Sequence, residues 1–155
     1  MNLGYDIRAA KLKDAAIIAH HRAAMFRDMG ELDDEDAATL EAEALAYLTE
    51  LIPANKYFGW VVESFGEVVA GGGLIVRRFL PRPESLQGGA EAYILNVYTE
   101  PAHRRQGLAR ELMKVMLEWC RDNNVARVTL HASNEGRELY EGLGFVASNE
   151  MRLES

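Results

Sequence analysis

The sequence predicts one domain of the α/β class, with helices on both faces of a mixed β-sheet. The chain has 155 residues, enough for one ordinary domain with its own core and too few for two. Apolar residues make up 48% of it, as expected of a chain that folds. Segments with strand and helix periodicity follow one another in the order βααβββαβαβ, which is the third observation behind this fold class.

The first half of the chain carries the signals of one strand, two helices and a hairpin. Residues 5–9 read as a short strand. Helical spacing of apolar residues then continues to Gly30, a residue type common at helix C-termini. Asp33 or Asp34 caps a second predicted helix, which Pro53 terminates. Two strands joined by a hairpin turn follow, at residues 57–63 and 67–79.

The pattern of the second half predicts a strand and a long helix, followed by a strand, a short helix and a last strand. Residues 92–99 are apolar enough for a central strand. A strongly amphipathic helix then extends to about residue 121. Its apolar stripe comprises Leu108, Leu112, Val115, Met116 and Trp119. The remaining predicted elements are a strand at 125–131, a short helix at 133–142 and a last strand at 145–153.

Composition excludes several classes of function. The net charge of −7 argues against a nucleic-acid partner, which needs a basic surface, and is compatible with a cationic substrate. The single cysteine, Cys120, excludes an internal disulfide and a Cys-rich metal site, and its place in an amphipathic helix favours packing. No apolar run has the length of a signal peptide or a membrane span, so we expect a cytoplasmic protein without a membrane partner.

The turn before the long helix is the strongest functional signal. Three arginines fall within residues 104–110, although the chain is acidic. A strand, a glycine turn and a helix start present unpaired backbone N–H groups, which bind anions such as a pyrophosphate. Gly107 would let the ligand approach the backbone closely. The alternative is a glycine-containing turn whose arginines are merely solvated.

Three motifs in this region resemble those of the GCN5-related N-acetyltransferases, the GNAT superfamily. Arg104-x-x-Gly107-x-Ala109 fits the Gln/Arg-x-x-Gly-x-Gly/Ala signature, residues 96–101 resemble the strand before it, and residues 139–145 resemble the closing helix with its Gly-Phe pair. The resemblance follows the element order from Tyr5 onward and is specific between residues 94 and 145. It implies one acetyltransferase domain over residues 1–155, with a mostly antiparallel sheet of about six to seven strands and about four helices.

The resemblance also implies a ligand and a reaction. Acetyl-CoA would be the cosubstrate, without a metal, and its acetyl group would pass directly to a primary amine in a ternary complex. The strand at residues 97–99 would pair with pantetheine through its backbone, and the N–H of Val97 would face the acetyl carbonyl. The implied cofactor-binding residues are Val97, Tyr98, Thr99, Arg105, Gln106, Gly107, Leu108, Ala109, Arg110 and Ser133.

Tyr140 occupies the position of the general acid in the family. A phenol with a pKa near 10 stays protonated at neutral pH and can protonate a thiolate whose pKa is near 8.5. The alternative is a tyrosine packed on its helix. Relatives often carry asparagine at the position of Ser133, so contact with CoA from Ser133 or Asn134 stays open, and Ser133 could instead cap the short helix.

The general base stays open at this stage. Some relatives place a glutamate where this chain has Tyr93, so Glu91, His131 and ordered water are the alternatives. His20 and His21 are adjacent on a helix and point about 100° apart, which disfavours a shared metal ion.

Other features leave further alternatives. The acidic run at residues 31–36 suits either a cationic acceptor or a helix N-terminus, and the glycines at 71–73 suit a bulge or a close ligand approach. The runner-up function is a non-catalytic acyl-CoA sensor, and a purely structural α/β interaction domain is a third. The acceptor amine is not indicated by the sequence. A homodimer is a further expectation, because dimers are common among relatives.

Overall fold

The computed structural model describes residues 4–154 and contains one five-stranded sheet with four α-helices. The strands are β1 (Asp6–Ala9), β2 (Tyr57–Ser64), β3 (Glu67–Phe79), β4 (Gly89–Thr99) and β5 (Val125–Leu130). The helices are α1 (Ala15–Asp28), α2 (Asp34–Leu51), α3 (Leu108–Asp122) and α4 (Arg137–Gly142). Across the described part of the chain, no helix is long and apolar enough to cross a membrane.

The sheet is mixed. Its strands lie in the order β1-β2-β3-β4-β5, with antiparallel pairing from β1 to β4 and parallel pairing of β5 with β4. Helix α3 supplies the crossover that a parallel pair requires. Strand β5 therefore lies at one edge of the sheet among the described residues.

Helices cover both faces of the sheet, as the sequence predicts. On one face α3 presents its apolar stripe to β2, β3 and β4, and Leu112 and Met116 are fully buried there. Complete burial of such a side chain stabilises the fold by about 1.5–3 kcal/mol. On the other face α1 and α2 pack against Tyr57 and Val61 of β2. Two separate apolar clusters thus hold the sheet between the helices.

Cys120 belongs to the α3 cluster and is almost completely buried. Burial raises the pKa of its thiol, so the thiolate needed for nucleophilic chemistry is disfavoured. The expectation that this cysteine packs in the core is confirmed.

Strand β4 contains a bulge near its C-terminal end. Gly71 of β3 pairs with Tyr98 and Gly73 pairs with Leu95, so Asn96 and Val97 together oppose the single residue Gly72. Asn96 has a φ of +62°, in the left-handed region that asparagine tolerates better than most residues. A bulge changes the direction of the backbone of the bulged strand, here at Asn96 and Val97.

The glycine run of β3 is explained by close approach of the protein's own side chains. A Cβ on Gly73 would lie 2.1 Å from the hydroxyl oxygen of Tyr57, and a Cβ on Gly72 would lie 3.0 Å from the terminal methyl of Met116. The glycines therefore make room for the core on both faces and for the bulge opposite them.

The predicted number of six to seven strands is wrong, because residues 145–153 do not form the last strand. A strand requires hydrogen bonds to a neighbour, and this segment has none to the sheet between residues 4 and 154. Its alternating apolar residues produced the prediction. In the structure Val146, Met151 and Leu153 are exposed to solvent, so their pattern lacks the buried face that it requires.

Candidate active site

Strands β4 and β5 separate at the C-terminal end of β4. Their last paired residues are Ile94 and Leu130, whereas β4 continues to Thr99. On that side, Val97, Tyr98 and Thr99 have no strand partner among the described residues. An unpaired strand edge offers backbone donors and acceptors to an extended ligand with amide groups. Val97 is one of the two residues of the bulge, so the bulge sets the direction of its backbone.

Helix α3 begins at an exposed and uncapped N-terminus. Gly107 occupies the N-cap position with a φ of +78°, and as a glycine it has no side chain that could cap the first turn. The first backbone hydrogen bond of the helix joins Glu111 N to Gly107 O at 3.1 Å. The amides of Leu108, Ala109 and Arg110 therefore have no partner within the helix. Together with the helix dipole they form a site suited to an anion.

Gly107 leaves this N-terminus open. A Cβ added there would meet no atom within 4 Å, so space lies in front of the turn. Arg105, two residues before Gly107, also has a positive φ of +65°, and left-handed residues in a turn are typical of anion-binding backbone nests. Arg105 and Arg110 are exposed, and neither forms an ion pair with any residue of the described range. Both side chains are available to an anion at the rim.

Arg104, by contrast, binds within the protein. Its Nε donates to the carbonyl oxygen of Thr99 at 2.9 Å, and its Nη2 contacts Oδ2 of Asp28 at 3.1 Å. The hydroxyl of Tyr98 donates to the same carboxylate oxygen at 3.0 Å. Arg104 thus ties the turn to the end of β4 and to α1. Tyr98 likewise turns its side chain toward α1, so only its backbone lies along the open edge.

Tyr140 lies on α4 beside the α3 core. Its ring packs edge-on against Phe145, with centroids 6.0 Å apart, and joins the apolar side chains around the α3 cluster. Burial raises the pKa of its phenol above the ordinary value, which keeps the proton in place at neutral pH. Within residues 4–154 its hydroxyl makes no hydrogen bond, so the proton is available for donation.

Ser133 caps the turn that precedes α4. Its Oγ accepts a hydrogen bond from Gly136 N at 3.0 Å, and its carbonyl oxygen accepts one from Arg137 N at 3.0 Å. The predicted helix therefore begins at Arg137, because residues 134–136 form the capped turn. Ser133 therefore has the capping role that was the alternative to contact with CoA. Its hydroxyl is an acceptor in the turn and can still donate its proton to another group.

Neither candidate base lies on the unpaired end of β4, because Glu91 pairs with Arg127 of β5 and His131 directly follows β5. Glu91 is held by two guanidinium groups, with Oε1 at 2.9 Å from Nε of Arg77 and Oε2 at 3.7 Å from Nη2 of Arg82. The ring of His131 packs edge-on against Tyr93, with centroids 5.9 Å apart. Glu91 is therefore committed to structural ion pairs, whereas His131 is exposed.

A buried polar network supports the bulge, and sequence reasoning missed it. Nη1 of Arg22 in α1 donates to Oδ1 of Asn96 at 2.6 Å, and Nδ2 of Asn96 donates to the hydroxyl of Tyr57 at 3.2 Å. Burial raises the pKa of Tyr57 to about 12. An asparagine within an apolar strand was the one available signal, because asparagine is enriched in left-handed conformations.

The two adjacent histidines have separate partners. Nε2 of His21 lies 2.8 Å from Oε2 of Glu100, and Nδ1 of His20 lies 3.1 Å from Oε1 of Glu41. Burial lowers the pKa of His21, although Glu100 opposes the shift, so this histidine is held close to neutral form. No group of three potential metal ligands occurs among residues 4–154.

The acidic residues at the start of α2 cap the helix and place negative charge at its N-terminus. Oδ1 of Asp33 accepts a hydrogen bond from Asp36 N at 2.8 Å, which makes Asp33 the N-cap. Asp34, Glu35 and Asp36 then lie in the first turn, where negative charge suits the helix dipole.

The fold and the site together define an α+β protein with an anion-binding helix N-terminus beside an open strand edge. The chain belongs to the acetyltransferase (GNAT) family, whose family model matches residues 18–145. This match confirms the resemblance that the motifs predict.

Known relatives agree with this assignment. N-acetyltransferase family 8 member 2 of Rattus norvegicus is 30% identical over 112 residues, which are 70% of this chain and 47% of that protein. The chain thus spans about half the length of this relative. A GCN5-related N-acetyltransferase from Ralstonia eutropha has a similar structure, with 32% identity, a TM-score of 0.89, and 98% of this chain and 99% of that chain covered.

A third comparison extends the likeness of the fold. A predicted acetyltransferase from Clostridium acetobutylicum, solved with acetyl-CoA, has a TM-score of 0.87 at 24% identity. The alignment covers 97% of this chain and 96% of that one.

Proposed function

We propose that this protein is an N-acetyltransferase that uses acetyl-CoA to acetylate a primary amine by direct transfer in a ternary complex. The observation that carries the proposal is the uncapped N-terminus of α3 beside the unpaired end of β4. These two neighbouring features suit the two halves of one ligand. The anion site suits a diphosphate, and the strand edge suits an arm that contains amides. Family membership and the Clostridium complex with acetyl-CoA support this ligand.

The residues present fit the diphosphate. Gly107 leaves the space in front of the turn free, and the first-turn amides of α3 lack partners within the helix. Arg105 and Arg110 add exposed positive charge, which strengthens hydrogen bonds to phosphate oxygens. The proposed binding residues on this side are Arg105, Gln106, Gly107, Leu108, Ala109 and Arg110.

The residues of β4 fit the pantetheine arm. Val97, Tyr98 and Thr99 would bind it through their backbone, because the side chain of Tyr98 is engaged with Asp28. Ser133 can add a hydrogen bond from its hydroxyl, since its oxygen is already an acceptor in the turn. The arm would thus complete the strand pairing that β5 leaves open.

Acetyl-CoA supplies a thioester, whose carbonyl carbon accepts the amine. In the transfer a C–N bond forms, the C–S bond breaks, and the amine loses one proton while the sulfur gains another. The N–H of Val97 would stabilise the negative charge on the carbonyl oxygen, since Val97 lies in the bulge and has no paired residue in β3. Tyr140 would donate the proton to sulfur, because burial keeps its phenol protonated.

Direct transfer agrees with the state of the cysteine. Cys120 is the one cysteine of the sequence, and it is buried with a raised pKa. It therefore does not serve as the nucleophile of an acyl-enzyme. Positioning of the amine against the thioester would supply much of the rate.

Ordered water is the proposed acceptor of the amine proton. Both carboxylate oxygens of Glu91 face arginines, and a base that must release these partners is poorly placed for proton transfer. The identity of the acceptor amine is open to experiment. A screen of acetyl-CoA with a panel of amines, read out as thiol release, tests the proposal, and turnover with any of them supports it.

A non-catalytic acyl-CoA sensor is the second candidate. The observation that favours it is the pairing of Glu91 with Arg77 and Arg82, which engages both carboxylate oxygens of a candidate base. Calorimetric binding of acetyl-CoA without thiol release across the whole amine panel would support the sensor and reject the enzyme.

A further inference from the structure

One carboxylate oxygen at the end of α1 accepts hydrogen bonds from the end of β4 and from the turn that follows it. Oδ2 of Asp28, the last residue of the helix, accepts from the hydroxyl of Tyr98 at 3.0 Å and from Nη2 of Arg104 at 3.1 Å. The Nε of Arg104 donates at 2.9 Å to the carbonyl oxygen of Thr99. Asp28 therefore joins the strand to the turn, although it belongs to neither.

The stability of the fold does not account for this contact. The side chains of Asp28 and Arg104 are 41% and 46% exposed, and a half-exposed ion pair contributes little to stability because water screens it. The negative charge also lowers the positive potential of a turn that is suited to an anion. An aspartate with this cost and this small gain is best explained by the geometry that it imposes.

Arg104 is anchored immediately before a residue with a strained backbone. Arg105 has a φ of +65°, a left-handed conformation that is unfavourable for a residue other than glycine or asparagine. Such a conformation persists only where neighbouring contacts fix it. The side chain of Arg104 provides such contacts, because it is held at Thr99 and at Asp28. Gly107 follows two residues after Arg105 as the N-cap of α3, so this part of the turn sets where the first amides of the helix lie.

We propose that Asp28 is a positioning residue of the diphosphate site. Its carboxylate keeps Arg104 turned toward α1 and holds the following residues in the conformation that exposes the first-turn amides of α3. Asp28 acts through Arg104 and does not contact the cosubstrate. This role rests on the proposed function, since the ligand that it concerns is acetyl-CoA.

Electrostatics alone predicts the opposite effect of removing Asp28. A negative charge would be lost and Arg104 would be free to reach a phosphate group, so the affinity for acetyl-CoA would rise. Positioning predicts that the affinity falls. Both donors converge on Oδ2, and an amide oxygen also accepts two hydrogen bonds, so Asp28→Asn can preserve the arrangement without the charge. The direction of the change and the rescue by asparagine therefore separate the two explanations.

Isothermal titration calorimetry with acetyl-CoA tests the positioning role. Asp28→Ala is expected to bind at least about fivefold more weakly than the wild type, and Asp28→Asn within about twofold of it. The matched control is Asp34→Ala, which removes another aspartate that faces an arginine, here Arg27 at 3.6 Å, and should bind like the wild type. Equal or tighter binding by Asp28→Ala, or an equal loss in Asp28→Asn, overturns the inference and leaves the proposed function intact.

A double-variant cycle tests whether Asp28 acts through Arg104. If it does, adding Asp28→Ala to Arg104→Met causes no further loss of affinity for acetyl-CoA, because the partner is already absent. A role of Asp28 in overall stability alone does not produce this dependence. Two losses that multiply in the double variant overturn the inference.

Hydrogen–deuterium exchange of the ligand-free protein gives a readout that does not depend on the cosubstrate. His103 N donates to Glu100 O at 2.9 Å in the wild type, within the segment that Asp28 holds. In Asp28→Ala the peptide spanning residues 100–107 is expected to exchange at least about threefold faster, with the β2–β3 hairpin unchanged. Unchanged exchange in that peptide rejects the inference alone. A wild type that does not bind acetyl-CoA rejects the proposed function and the inference together.

Discussion

Arg22 on α1 donates a 2.6 Å hydrogen bond to the side-chain oxygen of Asn96, the left-handed residue of the β4 bulge. This contact joins a helix on one face of the sheet to the backbone that precedes Val97. Since Asn96 also donates to Tyr57, the bulge is held from two elements at once. The network is therefore in a position to fix the direction of the Val97 N–H.

Replacement of Arg22 by methionine tests this role. The variant Arg22→Met keeps much of the aliphatic stem but leaves the oxygen of Asn96 without its charged donor. We expect the free energy of unfolding to fall by about 1–3 kcal/mol in urea denaturation. We also expect kcat for acetyl transfer to fall about tenfold with a smaller change in the KM for acetyl-CoA, because the oxyanion donor is displaced.

Arg27 on the same helix provides the control. It is half-exposed and lies 3.6 Å from Asp34, so Arg27→Met should cost at most about 0.5 kcal/mol and leave kcat unchanged. Loss of stability in Arg22→Met with wild-type kcat would assign the network to folding alone.

Much of the fold could be predicted from the sequence because periodicity reports burial. In the α3 stripe Leu108, Leu112 and Met116 are buried as its spacing predicts, whereas Val115 and Trp119 are partly buried. The helix ends at Asp122, close to the predicted residue 121. The same logic failed at residues 145–153, where alternation is present but the partner is not. Period-two patterning identifies a strand-competent segment and says nothing about which strand completes it.

The part of the candidate site that is formed by backbone groups could be predicted from the sequence. The turn at Gly107 was identified from a glycine between a strand and a helix, and the structure places an uncapped N-terminus there. The inward roles of Arg104 and Arg22 could not be predicted, because a guanidinium's partner depends on tertiary contacts. The bulge at Asn96 was hidden for the same reason, since register is a property of two strands.

Tyr140→Phe tests the general acid. The substitution removes the phenolic proton and keeps the ring that packs against Phe145. We expect kcat to fall at least about 100-fold, within the range typical of acid–base catalysis, while the calorimetric affinity for acetyl-CoA changes less than about twofold. A turnover number equal to that of the wild type would reject the assignment.

The buried His21 predicts a pH dependence of stability. Burial lowers its pKa in the folded protein below the ordinary value of 6.5, so the unfolded chain binds a proton first as the pH falls. The contribution of His21 to the free energy of unfolding is fully present above about pH 6.5. It declines as the pH falls below that value. In denaturation at pH 7 and pH 5, His21→Gln should show a smaller loss of stability on acidification than the wild type.

His20 is the matched control for this measurement. Its ring is half-exposed beside Glu41, so His20→Gln should retain the wild-type loss between the two pH values. Equal losses in the wild type and His21→Gln would show that His21 does not carry the effect.

Water as the base predicts tolerance at both candidate positions. Glu91→Gln preserves a hydrogen-bond acceptor for Arg77, and His131→Gln removes the imidazole of the second candidate base. We expect each variant to keep kcat/KM for the best amine within about fivefold, with an unchanged acidic limb of the pH profile. Loss of that limb in either variant would identify the residue as the base.

The central claim is that the N-terminus of α3 binds the diphosphate of acetyl-CoA. Gly107→Glu places a carboxylate in front of the amides, and Gly30→Glu is its matched control. The two glycines have φ values of +78° and +76°, and neither has an atom within 4 Å of an added Cβ, so backbone strain is the same in both variants.

Isothermal titration calorimetry of acetyl-CoA with these two variants is the most direct measurement. The account predicts that Gly107→Glu loses at least about 100-fold in affinity, through bulk and charge repulsion, while Gly30→Glu binds like the wild type. Wild-type affinity in Gly107→Glu would contradict the account, because the diphosphate would then bind elsewhere.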